Sequence, residues 1–160
     1  MLVSIVIPCY NSEHTIGEVV ELAIEEFEKL DKYECEFVLV NDYSRDGTWK
    51  AIETLSDKYP NVKGINLAKN FGQHNAIMAA MSQAEGELIV GMDDDMQNHP
   101  SQIPQFLAKI EEGYDIVFGV FKQRKFSMIK NITGAISRYL LWHLLRSEER
   151  RVGKECRSRW

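Results

Sequence analysis

Cysteine is scarce in this chain and poorly placed for crosslinking. Cys9, Cys35 and Cys156 are odd in number and form no C-x-x-C pair, so neither a disulfide framework nor a zinc site is indicated, and a reducing, cytoplasmic setting fits. No run of 18 uncharged apolar residues is present, which leaves no candidate for a bilayer-spanning helix. The opening MLVSIVIPCY carries no basic leader, and Pro8 interrupts its apolar run; it reads as a first strand rather than a signal peptide. Neither G-x-x-x-x-G-K-[ST] nor G-x-G-x-x-G occurs, which removes the P-loop and dinucleotide readings. Positive charge is also short over most of the length. Residues 1–121 hold 8 Lys/Arg against 21 Asp/Glu, a balance that would repel nucleic-acid phosphates. Residues 122–160 reverse it, with 11 Lys/Arg against 3 Asp/Glu, which suggests two different partners for the two parts.

What is present is a globular alternation. At 160 residues, 44% hydrophobic and 27% charged, the chain is one domain's worth and large enough to bury a core. Leu2–Pro8 is a continuous apolar run typical of a strand buried on both faces. Ile16, Val19, Val20, Ala23, Ile24, Phe27 and Leu30 keep a helical stripe, with Thr15-x-x-Glu18 as a capping box at its start. Phe37–Val40, Val62–Leu67, Leu88–Met92 and Asp115–Val120 read as further strands. Helices are expected around Ile52–Tyr59, Ala76–Met81 and Ile103–Ile110, the last closed by Gly113. Strands alternating with helices in this way predict an α/β fold, a mostly parallel sheet with helices on both faces.

The segment 88–100, LIVGMDDDMQNHP, is the most informative. An apolar strand runs directly into Asp93, Asp94 and Asp95, which puts carboxylates at the carboxyl edge of the sheet, where open α/β folds build their sites. Two carboxylates 5 Å apart at an effective dielectric of 20 repel by roughly 3 kcal/mol, a cost that a divalent cation removes. Three other segments end strands at the same edge: Pro8–Glu13, Asn41–Thr48 and Ala68–Gln73. Asp42 is placed to accept hydrogen bonds from a ribose or base edge, although Asp46 and Gly47 suit a helix start better. Tyr10 is a stacking candidate or a core residue. Asn70, Gly72 and Gln73 precede a helix whose free N–H groups suit a phosphate, with a plain glycine turn as the alternative.

Together, VSIVIPCYNSE, VNDYSRDGT, KNFGQHNAIMAAM and GMDDDMQNHP resemble family 2 glycosyltransferases of the GT-A (Rossmann-like) fold. The similarity is nearest to the branch that moves a sugar from a nucleotide-sugar to a polyprenyl (dolichyl or undecaprenyl) phosphate, and it covers roughly residues 1–145. The resemblance implies that Pro8, Tyr10 and Glu13 cradle the nucleotide base, and that Asp42 binds base or ribose. Asn70 and Gly72 complete the nucleotide site. It implies catalytic roles for Asp93, Asp95 and Gln97, with Asp93 and Asp95 holding Mg²⁺ or Mn²⁺ on the diphosphate, and Pro100 following as in the family. Two departures stand out: VNDYS replaces VDDGS, with Asn41 for an acid and Tyr43 for a glycine, and Asp94 takes a position that is usually small. The family's domain continues past this length, so the chain looks like an N-terminal portion. Family members that glycosylate hydroxyls carry their base in a later motif, so its absence here is compatible with a phosphate acceptor.

The expected activity is metal-dependent sugar transfer to a polyprenyl phosphate or other cell-envelope glycan acceptor, at the cytoplasmic face of a membrane. The rival readings are a nucleotide-sugar-binding module without turnover and a nucleotidyltransferase, although the latter's glycine-rich loop is replaced by PCYNSE. Lys122, Arg124 and Lys125 are candidates for an acceptor phosphate or anionic headgroups. Ile129, Ile132, Ile136, Leu140 and Leu144 keep a helical stripe, read as an interfacial helix or as a core helix. Residues 1–145 are taken as the transferase domain, and 146–160 as a disordered or foreign tail.

Overall fold

The computed structural model describes residues 1–119, and its first compact unit, Met1–Phe118, holds every element named below. In chain order these are β1 (Leu2–Cys9), α1 (Ile16–Phe27), β2 (Glu34–Asn41), α2 (Thr48–Lys58), β3 (Val62–Asn66), α3 (Gln73–Met81) and β4 (Leu88–Gly91). A short 3₁₀ turn, Pro100–Gln102, leads into α4 (Ile103–Glu111). The four strands form one parallel sheet in the order β3-β2-β1-β4. The expected parallel α/β architecture is therefore present.

Period-two alternation splits the sheet's side chains between two cores. Val3, Ile5 and Ile7 of β1, with Phe37 and Leu39 of β2, pack in one cluster with the apolar stripes of α1, α2 and α4. Val6, Val38 and Val40 point the other way and meet Ala76 and Ala80 of α3. The two alanines, both fully buried, present little side chain to hold α3 off the strands. Helices thus cover both faces, and full burial of each Val or Ile adds roughly 1.5–3 kcal/mol.

One polar group interrupts the α3 side. Glu36 is 5% exposed, and its carboxylate accepts from the Ser4 hydroxyl (2.6 Å) and the Glu85 N–H (2.6 Å). The Lys63 ammonium closes on it at 3.0 Å. The chain entering β4 is anchored here, and Gly86 is required because a Cβ would lie 2.7 Å from the Ser4 backbone nitrogen. Burial pushes the Glu36 pKa up, but the Ser4 hydroxyl, the Glu85 N–H and Lys63 outweigh it and leave the pKa below its ordinary value.

Three expectations are corrected. Thr15 makes no side-chain cap; its hydroxyl donates to the Ser12 carbonyl, which also takes the Thr15 and Ile16 N–H groups. The turn 12–15 consumes the groups that a capping box would use. The strand expected over Leu88–Met92 ends at Gly91, and Ile89 in it is 45% exposed; among the described residues it pairs with β1 alone. Residues 116–119 are irregular, and Ile116 and Phe118 are exposed. An alternating pattern yields a strand only where a partner ladder accepts it, and among the described residues none does. Val120, the end of that expected strand, lies outside the described residues, as do residues 122–160.

Glu36→Gln should cost about 1–2 kcal/mol at neutral pH, the difference between charged and neutral hydrogen bonds. Because the folded pKa is depressed, the contribution is present above the unfolded carboxyl value of about 4.3 and is lost as pH falls through the folded value. Urea midpoints measured against pH should show wild type and variant converging in acid.

Candidate functional site

The strand order reverses between β1 and β4, because the chain builds β2 and β3 on one side of β1 and then returns to place β4 on the other. Ligand sites of open α/β sheets lie beyond the carboxyl ends of strands at such a switch point. A cleft of about 440 Å³ opens there, lined by Pro8, Cys9, Tyr10, Asp42, Asn70, Gly72, Gln73, Asp93, Asp94 and Asp95. All four strand-end segments contribute. Among the described residues the lining carries four carboxylates and no Lys or Arg.

Each carboxylate is held by N–H donors. Asp94 accepts the Tyr10 backbone N–H at 2.9 Å, so the middle residue of the triplet stitches β4 to β1. Asp93 accepts the side-chain amides of Gln73 (3.1 Å) and Asn98 (3.1 Å). Asp95 takes the Gln97 N–H at 3.0 Å across a tight turn in which Met96 has φ 59°. Asp42, 3% exposed, accepts the N–H groups of Phe71 (2.7 Å) and Gly72 (2.8 Å). These bonds lower the cost of gathering like charges, but none brings a positive charge.

The loops after β1 and β2 are zipped together. Asn11 receives the Arg45 N–H on Oδ1 and gives its own N–H to the Ser44 hydroxyl, both at 3.0 Å. Glu13 accepts the Gly47 N–H at 2.9 Å. Asp46 accepts the Thr48 hydroxyl and N–H and the Glu13 N–H; burial pushes its pKa up, but these donors leave it depressed. A left-handed residue follows every strand: Asn11 (φ 55°), Tyr43 (φ 58°), Gly72 (φ 86°) and Met96 (φ 59°). For the three that are not glycine, this conformation costs roughly 1–3 kcal/mol each.

Seven of the expected residues line the cleft: Pro8, Tyr10, Asp42, Asn70, Gly72, Asp93 and Asp95. Glu13 and Gln97 do not. Glu13 faces the β2 loop, and the bond that ties Gln97 to the site comes from its backbone N–H. Lys122, Arg124 and Lys125 lie outside the described residues. Gln73, expected beside Asn70 and Gly72, and Asp94 of the triplet line the cleft too; Cys9 in the lining and Asn98, through its bond to Asp93, enter without having been expected. Burial, followed by the Asp94 carboxylate, drives the Cys9 thiol pKa far above its ordinary value, so Cys9 is a neutral packing group rather than a nucleophile. Hydrogen-bonding order was the missing signal, since a sequence does not say which amide finds which carboxylate.

Among the described residues no three His, Cys, Asp or Glu side chains converge into a ready metal cage. Asp93 and Asp95 nonetheless fit a hard divalent ion. Both present oxygen to the cleft, and Mg²⁺-type sites commonly use one or two protein carboxylates plus substrate phosphates.

The comparisons with known proteins agree with this architecture. The family model described as "Glycosyl transferase family 2" matches residues 4–154. The undecaprenyl-phosphate 4-deoxy-4-formamido-L-arabinose transferase of Proteus mirabilis (strain HI4320) is 43% identical over 116 residues, which cover 72% of this chain and 35% of that protein. The chain therefore spans about a third of that relative's length. The structure of S. aureus TarS 1-349 in complex with UDP superimposes with a TM-score of 0.54 at 28% identity, covering 77% of this chain and 40% of that one. The mannosyltransferase PcManGT from Pyrobaculum calidifontis, in complex with GDP-Man and Mn²⁺, gives 0.50 at 28% identity, covering 58% of this chain and 27% of its own. A family match over nearly the whole length, joined to a four-carboxylate cleft at the switch point of a parallel sheet, means that this chain belongs to glycosyl transferase family 2.

Proposed function

We propose that the chain is the donor-binding part of an enzyme that transfers a sugar from a nucleotide-sugar to a polyprenyl phosphate at the cytoplasmic face of a membrane, with Mg²⁺ or Mn²⁺. The observation that carries this reading is the gathering of four carboxylates, Asp42, Asp93, Asp94 and Asp95, in one cleft, with no Lys or Arg in its lining among the described residues. A nucleoside diphosphate would be repelled from such a surface unless it arrives with a divalent cation. Asp93 and Asp95 would hold that cation, which would supply Lewis acidity for the departing nucleoside diphosphate.

The protein's own groups do the rest. Gln73 and Asn98 orient Asp93, the Gln97 N–H sets Asp95, and the Tyr10–Asp94 bond holds the floor of the cleft beside β1. Pro8 and Tyr10 form the wall along which the nucleoside lies, with Asp42 and the 70–72 loop at its far end. A phosphate acceptor needs no strong base, because its second pKa near 6 leaves it largely dianionic at pH 7. The Proteus mirabilis relative's name, an undecaprenyl-phosphate transferase, supports that acceptor class, and the nucleotides in the TarS and PcManGT structures support a diphosphate donor. No helix among the described residues is long and apolar enough to cross a membrane. Contact with the lipid acceptor is assigned, on its charge, to the basic segment that begins at Lys122, Arg124 and Lys125, where residues 122–160 hold 11 Lys/Arg against 3 Asp/Glu.

Two measurements test this reading. In titration calorimetry with Mn²⁺ present, Asp95→Asn should weaken UDP or GDP binding by about tenfold or more, the scale at which metal sites respond to disrupted ligation. EDTA should bring the wild type to the same level, and unchanged affinity in both cases defeats the metal assignment. In flotation assays the full chain should bind anionic vesicles at low salt, with binding falling as salt rises. Arg124→Glu combined with Lys125→Glu should abolish it, and a double variant that floats like wild type removes those residues from the membrane role.

A further inference from the structure

Three residues other than glycine hold left-handed backbone at the rim of the cleft, and two of them gain something by it. Asn11 is a residue type that tolerates the conformation, and its side-chain amide and backbone N–H bind the β2 loop. Met96 packs its side chain against the main core. Tyr43 gains neither. It is 53% exposed, joins neither buried cluster, and its hydroxyl has no hydrogen-bond partner among the described residues. The turn itself closes without its side chain, through the Ser44 N–H to Asn41 Oδ1 bond at 3.1 Å. A glycine would serve that turn better, and strain that the fold does not use points to a ligand.

The neighbours say which ligand. Tyr43 follows Asp42 directly, and Asp42 Oδ1 accepts the N–H of Phe71, whose ring is 46% exposed. Two exposed rings therefore leave the backbone beside one cleft-lining carboxylate, with the Lys69 ammonium 4.9 Å from the Phe71 ring centroid. From the ends of β4, where the triplet sits, to the end of β2 is two strand spacings, about 10 Å. That separation suits a diphosphate at the triplet and a planar base at the β2 end. We propose that Tyr43 is a specificity-determining residue that stacks on the nucleobase of the donor, at the outer edge of the cleft beside Asp42 and Phe71. The proposal rests on the nucleotide-sugar reading above.

The test uses the full chain with UDP, GDP and pyrophosphate as probes, each with Mn²⁺. Tyr43→Gly should raise the melting temperature by relieving the backbone, while UDP or GDP affinity falls by about 5-fold or more, the scale of lost base–aromatic stacking. Tyr43→Phe should keep wild-type affinity, and pyrophosphate should bind all three proteins alike. Equal nucleotide affinity in wild type and Tyr43→Gly overturns the proposal. So does a parallel loss of pyrophosphate binding, which would mark a general distortion of the cleft. Loss of flotation on anionic vesicles with nucleotide affinity intact would assign the ring to a lipid surface and equally overturn it. If wild type binds neither UDP nor GDP in Mn²⁺, the failure belongs to the donor reading and not to Tyr43.

Discussion

Repulsion among the carboxylates gathered at one edge of the sheet is the constraint that the rest of the site answers. Asp42, Asp93, Asp94 and Asp95 face a common cleft; their hydrogen-bond donors come from the loops after β1, β3 and β4, while the loop after β2 supplies Asp42. Tyr10 after β1 serves Asp94, Phe71 and Gly72 after β3 serve Asp42, and Gln97 and Asn98 after β4 serve Asp95 and Asp93. Each loop therefore carries one of these charges or donates to one. The parallel register supplies the common edge: Cys9 is paired with Asn41, and Asn41 with Asn66.

Neutral N–H dipoles spread the repulsion without cancelling it. A lysine inside the cleft would have relieved the fold at once, but it would also have occupied the place of a cation brought by the substrate. On the proposed reading, a cleft without such a lysine among its described residues favours an anion that arrives already paired with a divalent ion, which would couple metal to donor.

The sheet and its helices were legible in the sequence because burial on both faces leaves unbroken apolar runs and amphipathic helices leave a 3.6-residue stripe. The errors share a cause. Leu88–Gly91 is an apolar run, yet among the described residues it borders one strand and leaves Ile89 exposed; an apolar run does not record how many neighbours it has. Asp115–Val120 reads like a strand, yet pairing is a property of two segments. The cleft was largely legible from the rule that strand ends converge, which located Tyr10, Asp42, Gly72 and Asp93 together. Glu13, expected beside the base, is bonded to the β2 loop, and Asp94, expected only as a surplus charge, lines the cleft and takes the Tyr10 N–H. A carboxylate's chemistry is visible in a sequence, but whether a backbone N–H has already claimed it, as Gly47 claims Glu13, depends on loop geometry.

The short β4 has a consequence for how the molecule assembles. Its ladder with β1 has four residue pairs against eight between β1 and β2, and the Tyr10–Asp94 bond joins residues 84 apart in sequence. Closing so long a loop is entropically expensive, so the β1–β2–β3 half of the sheet is the part able to form first, with β4 docking late. The weakest seam of the sheet is then the one loaded with mutually repelling acids. On the proposed reading, a cation-bearing nucleotide bound at the triplet would act across that seam as the final fastener of the sheet.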